Sequence, residues 1–236
     1  SRIKIYKVKK NIGVGNLRNL ALTECKGQYL MFVDSGDQVY SKNIDAIIDL
    51  LKKKKFELLV GNFRSEKPDH GCFKFKGKKI REKSLINQLL RENKIEFRTV
   101  CWRFIVSKKF LLNNSIKFTE NNRKMEDIEF VLGILTKSKK ILNLNQYLIN
   151  QRYDQNSLTE KNGTKITTID LLDAWRTTRN VLKESYRLEG YKIKFVLQIL
   201  RKNLLNYLPL IIFLNKKQLK RFNTFKVNFY NFKNKD

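Results

Sequence analysis

The spacing of apolar and polar residues predicts alternating strands and helices over the first 61 positions. Apolar and basic residues alternate over 3–8, as in a half-buried strand, and an apolar stripe with helical spacing runs over 17–25. The runs 29–33 and 56–61 are nearly all apolar, which is typical of strands buried on both faces, and the helical stripe 44–51 lies between them. This order of elements predicts an α/β sheet.

Further periodic segments follow in the second half of the chain. Met125–Lys137 has the pattern of a helix with an acidic first turn, and Ile141–Arg152 has that of an extended strand. From Thr168 the pattern is helical, with an apolar stripe of Leu171, Leu172, Trp175, Leu182 and Tyr186. We therefore expect an α/β domain over residues 1–165 and a helical, basic C-terminal extension over 166–236.

The charge balance bears on the partners of the chain rather than on its fold. The 236 residues carry a formal net charge of +28, so anionic surfaces should attract the protein at low salt. His70 is the only histidine, which excludes chemistry that needs two imidazoles within this chain. The three cysteines form no CxxC pair, as expected of reduced thiols in a cytosolic compartment.

Two acidic segments are candidates for chemistry. Asp34-Ser35-Gly36-Asp37 directly follows an apolar strand, where ligands of open α/β sheets bind, and its two carboxylates could hold Mg²⁺ or Mn²⁺. The alternative is an ordinary turn, because Asp, Ser and Gly all favour turns. Glu126-Asp127 opens a helix, where acids often only complement the helix dipole. With a single histidine present, a general base in this chain should be a carboxylate, a lysine or a tyrosine.

These segments fall in an order that resembles a known family. The motifs Asn11-x-Gly13, Leu17-Arg18-Asn19-x-Ala21 and Gly27–Asp37 resemble the corresponding blocks of glycosyltransferase family 2, which has the GT-A fold. Trp102 and the segment Glu126-Asp127-x-x-Phe130 are similar to downstream blocks of that family. The resemblance covers about residues 3–160.

The resemblance implies an inverting transfer of a sugar from a nucleotide-sugar, expected to be UDP-linked, to an acceptor hydroxyl. It implies that Asp34 and Asp37 hold a divalent cation, Mn²⁺ or Mg²⁺, against the donor diphosphate. It assigns the role of general base to Asp127, with Glu126 beside it. The sugar would belong to the hexosyl or N-acetylhexosaminyl class.

The same resemblance suggests further substrate contacts. Arg18, Asn19 and Arg152 are expected to bind substrate, with the two arginines near the donor phosphates or the mouth of the site. Trp102 is expected to shape the acceptor pocket.

Two departures from the family pattern affect this interpretation. Gly36 stands where the family usually has an acid, so metal binding or activity could be weakened. The first nucleotide-binding strands of the family have no counterpart before Ser1, so we expect a truncated GT-A-like (Rossmann-like) mixed sheet with helices on both faces. A catalytically inactive, truncated relative that binds membranes or polyanions is the alternative function.

The C-terminal region suggests where the protein acts. Basic amphipathic helices and a tail over 215–236 that interleaves Phe and Lys fit attachment to an anionic bilayer. We expect a cytoplasmic protein, peripheral at the inner face of the plasma membrane, with a glycan or lipid-linked glycan acceptor in lipooligosaccharide, capsule or teichoic-type synthesis. A solvated tail on a packed helical cap is the alternative, and no recognition motif indicates specific nucleic-acid binding.

Overall fold

The structure is a computed structural model that describes residues 3–66, 100–122, 125–153 and 168–185, together with Leu188, Lys192, Val196 and Leu200. The predicted basic tail over 215–236 lies outside these described residues.

The described residues form five strands, five α-helices and one 3₁₀ turn. The helices are α1 (Val14–Glu24), α2 (Ser41–Lys53), α3 (Lys108–Asn113), α4 (Glu126–Lys137) and α5 (Thr168–Ser185). The strands are β1 (Tyr29–Met31), β2 (Gln38–Val39), β3 (Leu58–Ser65), β4 (Phe104–Ser107) and β5 (Ile141–Gln151). The 3₁₀ turn, Cys101–Arg103, leads directly into β4.

The strands form one mixed sheet in the order β1-β4-β3-β5-β2. The central strand β3 pairs in parallel with β5, from Leu58 opposite Ile141 to Ser65 opposite Gln151, and antiparallel with β4. β1 and β2 are the outer strands, and each runs antiparallel to its neighbour. The residues that follow β1 and β5 lie near the same part of the sheet. Asp37 accepts a hydrogen bond from the backbone N–H of Arg152 there.

The core lies where β3 and β4 meet helix α4. Leu58, Leu59 and Val60 of β3 are buried, as are Phe104, Ile105 and Val106 of β4. The apolar residues of α4, including Phe130, Val131, Ile134 and Leu135, are fully buried. The second apolar run of the sequence is therefore an inner strand, as its composition predicts. The helix predicted over Met125–Lys137 and the strand predicted over Ile141–Arg152 are confirmed to within one residue at each end.

Two features of the N-terminal region differ from the sequence prediction. Residues 3–8 form no strand, and the side chains of Ile3 and Ile5 are exposed. An alternating pattern produces a strand only where a neighbouring strand supplies hydrogen bonds. The run 29–33 gives the short outer strand β1, which is half-buried, because β4 is its single partner among the described strands.

Helix α5 packs through a different face from the one that its apolar residues predict. Leu172 and Trp175 of the predicted stripe are exposed, and the side chains of its other members, Leu171, Leu182 and Tyr186, lie outside what the structure describes. The buried face carries Asp173, Ala174, Thr177, Thr178 and Val181 instead. The Thr177 hydroxyl and the Asp173 backbone carbonyl accept from the Asn122 amide of the 119–122 loop, so the apolar pattern alone does not identify the buried face. Within the described helices, none is long and apolar enough to cross a bilayer.

Candidate active site

A single guanidinium group joins the two acidic segments singled out in the sequence. Arg18 lies on α1, and its Nη2 donates to Oδ1 of Asp34 at 2.7 Å. Its Nη1 donates to Oε1 of Glu126 at 3.0 Å and to Oδ1 of Asp127 at 2.5 Å. The Arg18 side chain is only 11% exposed, so these ion pairs are largely shielded from solvent. The acids after β1 and at the start of α4 therefore converge on one site.

Aromatic side chains pack against the Arg18 guanidinium. The Arg18 guanidinium carbon lies 5.3 Å from the ring centroid of Phe118. Phe118 stacks on Phe130 of α4 at 4.0 Å, and the ring of Phe32 meets Phe118 edge-on at 5.0 Å. The Arg18 guanidinium therefore lies between the ring of Phe118 and three carboxylates, which limits the orientations that its side chain can adopt.

The turn after β1 places two carboxylates at the open end of the sheet. The N–H of Asp37 donates to the carbonyl of Asp34 at 3.2 Å, and Gly36 has φ +91°, a conformation that favours glycine. Oδ1 of Asp37 accepts from the backbone N–H of Arg152 at 3.1 Å. Asp34 remains about half exposed, so it can meet a ligand from solvent.

Asp127 is fixed through both of its carboxylate oxygens. Oδ1 accepts from Arg18, and Oδ2 accepts from the backbone N–H of Cys101 at 3.1 Å. Asp127 lies in the first turn of α4, after Met125, which has the left-handed φ of +65°. Because the two donors come from α1 and from the 3₁₀ turn, the orientation of this carboxylate depends on the tertiary structure.

The burial of this site changes the proton affinity of its groups. Burial raises the pKa of Asp127 to about 7, with a further contribution from Glu126, although the Arg18 guanidinium and the Cys101 N–H oppose the rise. Burial by itself would lower the pKa of Arg18, but the neighbouring carboxylates of Asp127 and Asp34 raise it, so the guanidinium stays charged. Asp127 is thus a carboxyl group that can exchange a proton near neutral pH.

The pKa of Asp37 is also raised. Burial is the main cause, the negative charges of Asp34 and Glu66 add to it, and the hydrogen bond from the Arg152 N–H opposes it. A cation placed between Asp34 and Asp37 would relieve this repulsion.

Helix α1 is attached to the 118–122 segment by specific contacts. The amide of Asn19 donates to the carbonyl of Phe118 at 3.0 Å and accepts from its N–H at 2.9 Å. A Cβ atom at Gly15 would lie 2.4 Å from the carbonyl oxygen of Thr119, so only glycine permits this approach. Gly15 and Asn19 of α1 therefore align this helix with the loop that precedes Glu126.

The structure brings together four of the residues selected from sequence: Arg18, Asp34, Glu126 and Asp127. Asp37 and Arg152 lie beside each other at the edge of this group, and the contact uses the backbone of Arg152. The Asn19 side chain bonds the Phe118 backbone, as described above. Trp102 is 2% exposed and meets the ring of Phe63 edge-on at 4.9 Å. The substrate-binding roles of Asn19, Trp102 and Arg152 stay predictions.

Two residues of the site had no signal as site residues in the sequence. Cys101 contributes through its backbone N–H, which any residue type supplies, so its identity carries no information. Gly15 is visible as part of a Gly-rich turn, but its function as a contact surface for Thr119 depends on a residue over a hundred positions away.

The acids after β1 fit a divalent cation in donor chemistry. Mg²⁺ and Mn²⁺ accept one or two protein carboxylates and complete their coordination with phosphate and water. Asp34 and Asp37 supply such a pair, and the negative charge of Asp34 adds to the effect of burial in raising the pKa of Asp37. Among the described residues, no group of three or more His, Cys, Asp or Glu side chains could by itself hold a metal. Binding would thus depend on oxygens brought by the substrate.

Two relatives are glycosyltransferases, and the chain spans about half the length of each. The cholesterol galactosyltransferase of Borreliella burgdorferi is 22% identical over 201 residues, which cover 80% of this chain and 53% of the relative. The processive diacylglycerol beta-glycosyltransferase of Mycoplasma pneumoniae is 26% identical over 203 residues, which cover 80% of this chain and 58% of the relative.

The fold and the sequence family agree with these relatives. The crystal structure of TarS residues 1–349 from S. aureus, in complex with UDP-GlcNAc, matches with a TM-score of 0.66 at 17% identity, over 85% of this chain and 56% of TarS 1–349. This likeness establishes the fold, which is of the GT-A type. The sequence profile described as Glycosyl transferase family 2 matches residues 1–111, a range that includes Arg18, Asp34 and Asp37. Over residues 1–111, this chain is therefore similar to glycosyl transferase family 2.

Proposed function

We propose that this site transfers a sugar from a UDP-linked donor to an acceptor hydroxyl with inversion at the anomeric carbon. One observation carries the proposal: Arg18 holds the acid after β1 and the acid at the start of α4 in a single cluster. The donor diphosphate would bind at Asp34 and Asp37, and the acceptor would bind at Asp127. The sugar belongs to the hexosyl or N-acetylhexosaminyl class.

The reaction is a single displacement. The acceptor oxygen attacks the anomeric carbon from the face opposite the diphosphate, the new carbon–oxygen bond forms as the bond to the phosphate oxygen breaks, and UDP leaves. Asp127 accepts the acceptor proton on a carboxylate oxygen, for which its raised pKa of about 7 is suited. Mn²⁺ or Mg²⁺ at Asp34 and Asp37, when bound, would neutralise charge on the departing diphosphate.

The acceptor that we propose is a membrane lipid or a lipid-linked glycan of a bacterial surface polymer. Two relatives are named for cholesterol and diacylglycerol, which are membrane lipids. The formal charge of +28 favours approach to an anionic bilayer. The protein would then act as a peripheral protein at the cytoplasmic face of the membrane, with residues 1–165 as the catalytic domain and the basic 166–236 extension as the attachment.

A non-catalytic, polyanion-binding relative is the second candidate, and Gly36 is the observation that favours it. A glycine replaces an acid that the family usually has in the metal-binding turn. This candidate predicts binding to anionic vesicles with no turnover of nucleotide-sugar.

A transfer assay separates the two candidates. The protein is incubated with labelled UDP-GlcNAc, UDP-Gal or UDP-Glc, Mn²⁺ and vesicles of bacterial lipid extract, and the lipid phase is analysed for labelled glycolipid. We expect product from the parent protein and none above background from Asp127→Asn, with a β-linked sugar by NMR because these donors are α-linked. Vesicle binding without product from any donor would support the non-catalytic candidate, and equal product from Asp127→Asn would exclude the proposed base.

A further inference from the structure

Helix α5 contacts the 119–122 loop, which precedes the proposed catalytic acids in the sequence. Both α5 and this loop lie outside residues 1–111, which the family profile matches. Asn122 of this loop is 2% exposed, and all of its bonded partners described below belong to α5. A buried amide is a strong positional constraint, because leaving one of its hydrogen bonds unmade is costly.

The Asn122 amide is bonded on both sides. Nδ2 donates to Oγ1 of Thr177 at 2.8 Å, with a longer contact of 3.5 Å to the carbonyl of Asp173. Oδ1 accepts from Nη1 of Arg176 at 2.8 Å. The same Nη1 lies 3.2 Å from the carbonyl of Asn121. Two consecutive residues of the loop are thus bonded to two consecutive residues of α5.

A second polar contact joins α5 to the body of α4. Oε2 of Glu129 accepts from Nδ2 of Asn180 at 3.2 Å and from Oγ1 of Thr119 at 2.7 Å. Glu129 therefore ties one turn of α5 to the start of the same loop. Both contacts use polar side chains of α5 that the apolar pattern of the sequence does not single out.

The opposite side of the loop contacts α1. Nδ2 of Asn16 lies 3.3 Å from Oδ1 of Asn121, and Gly15 packs against the carbonyl of Thr119. Asn121 has the left-handed φ of +61°, and Met125 also has positive φ. Non-glycine residues adopt this conformation at a free-energy cost, so the neighbouring contacts must maintain it. Residues 119–122 lie between α1 and α5, and Glu126 and Asp127 come four and five positions after Asn122 in the sequence.

We propose that Thr177 and Arg176 are positioning residues, which act through Asn122 to hold Asp127 in place for the transfer reaction. The proposal rests on the proposed function for its catalytic part, since Asp127 is the base only in a transferase. Its structural part, that α5 orders the loop, has a readout that needs no activity. α5 is in this view a component of the active site rather than a spacer before the basic tail.

Two neighbouring threonines give a matched pair of variants. Thr177→Val removes the hydroxyl that accepts from Asn122 and keeps the shape of the side chain. Thr178→Val makes the same change at the next position, where the hydroxyl donates to the carbonyl of Ala174 within the helix. Thr177→Ser retains the hydroxyl and should restore the parent behaviour. Arg176→Ala removes the guanidinium that donates to Asn122, and Arg179→Ala, at an exposed position, is its control. We expect α5 to remain folded in both variants.

The experiment measures amide hydrogen exchange over residues 116–129 in the whole protein, together with kcat and the KM for the UDP-sugar, at a temperature well below the Tm of every variant. We expect Thr177→Val and Arg176→Ala to speed exchange in this segment about ten-fold and to lower kcat about ten-fold with KM within two-fold, because a misplaced base slows chemistry without weakening donor binding. Thr178→Val and Arg179→Ala should match the parent in all three measurements.

Each other outcome is informative. Equal effects of Thr177→Val and Thr178→Val, or unchanged exchange in both Thr177→Val and Arg176→Ala, would overturn the proposal. If the parent shows no transfer but exchange responds as expected, the proposed function fails and the ordering of the loop by α5 stands. If kcat falls while exchange is unchanged, the effect does not pass through the loop, and the positioning role is refuted.

Discussion

Nη1 of Arg18 lies 2.5 Å from Oδ1 of Asp127, although 109 positions separate the two residues in the chain. Arg18 belongs to α1 and Asp127 to α4, so this ion pair forms only when both helices are packed on the sheet. The same guanidinium also reaches Asp34 and Glu126. The charge distribution of the site is therefore set by one buried cation shared among three acids.

Asp127→Asn should abolish transfer while preserving the fold. The amide keeps the size of the side chain but cannot accept the acceptor proton, so we expect kcat to fall by about 10²–10⁴-fold. Glu120→Gln is the control, because this exposed acid pairs only with Lys117 among the ion pairs described for it. Initial rates with saturating donor measure the effect. A variant that retains more than a tenth of the parent rate would contradict the role of Asp127.

The pH profile of kcat/KM should have its acidic limb near pH 7. A base must be ionised to accept a proton, and burial raises the pKa of Asp127 to about 7, so activity should rise as the pH increases through that value. Below it, the rate should fall about ten-fold per pH unit as Asp127 becomes protonated. An unperturbed aspartate would place the limb near pH 4. Rates measured from pH 5 to pH 9 decide between these positions.

Arg18→Gln should destabilise the protein and move this acidic limb to higher pH. Loss of the guanidinium leaves Glu126 and Asp127 without their shared counter-charge, and removing one partner of a buried ion pair costs about 3 kcal/mol. The pKa of Asp127 should rise, since the charge that opposes its protonation is gone. Arg18→Lys should recover part of both effects, and exposed Arg179→Gln should change neither. Denaturant unfolding and the pH profile measure the two effects independently; a limb that stays in place would show that Arg18 has no influence on Asp127.

Gly36→Asp should strengthen binding of Mn²⁺ in the presence of UDP. A Cβ atom at this position meets no atom within 4 Å, so the new carboxylate has space beside Asp34 and Asp37. The φ of +91° is unfavourable for a side chain, and we expect a stability loss of about 1–2 kcal/mol. Gly36→Asn has a similar shape without the charge and is the control. Isothermal titration with Mn²⁺ and UDP should show tighter binding for Asp alone; equal affinities for Asp and Asn would indicate that the metal does not approach this turn.

Local patterns in the sequence predicted the elements whose burial is decided by their own composition. Strand β3 and helix α4 are apolar over most of their length and lie in the core as expected. The pattern over 3–8 was misleading because a strand requires a partner, which a local pattern does not contain. The prediction of the buried face of α5 was wrong for a related reason. Thr177 is buried where Asn122 of the loop donates to its hydroxyl, and Leu172 and Trp175 are exposed.

The candidate site was predictable in its residues but not in its arrangement. The acids at 34, 37, 126 and 127 and the arginine at 18 could be selected because they follow a strand, open a helix or match a family motif. Their connection through one guanidinium could not be predicted, since it depends on how α1 packs on the 118–122 segment. The contribution of Cys101 was not predictable in principle, because it comes from a backbone N–H.

The parallel pairing of β3 with β5 has a consequence for how the chain reaches its native state. Leu58 lies opposite Ile141, 83 positions later in the chain, so β5 is synthesised well after the central strand that it pairs with. During translation, the edge of Leu58–Val60 that pairs with β5 stays unpaired until β5 has been synthesised. Contacts between such distant positions form slowly. We expect this segment to be the part of the nascent protein that most needs a chaperone, and late ribosomal release of β5 to be the step that completes the sheet.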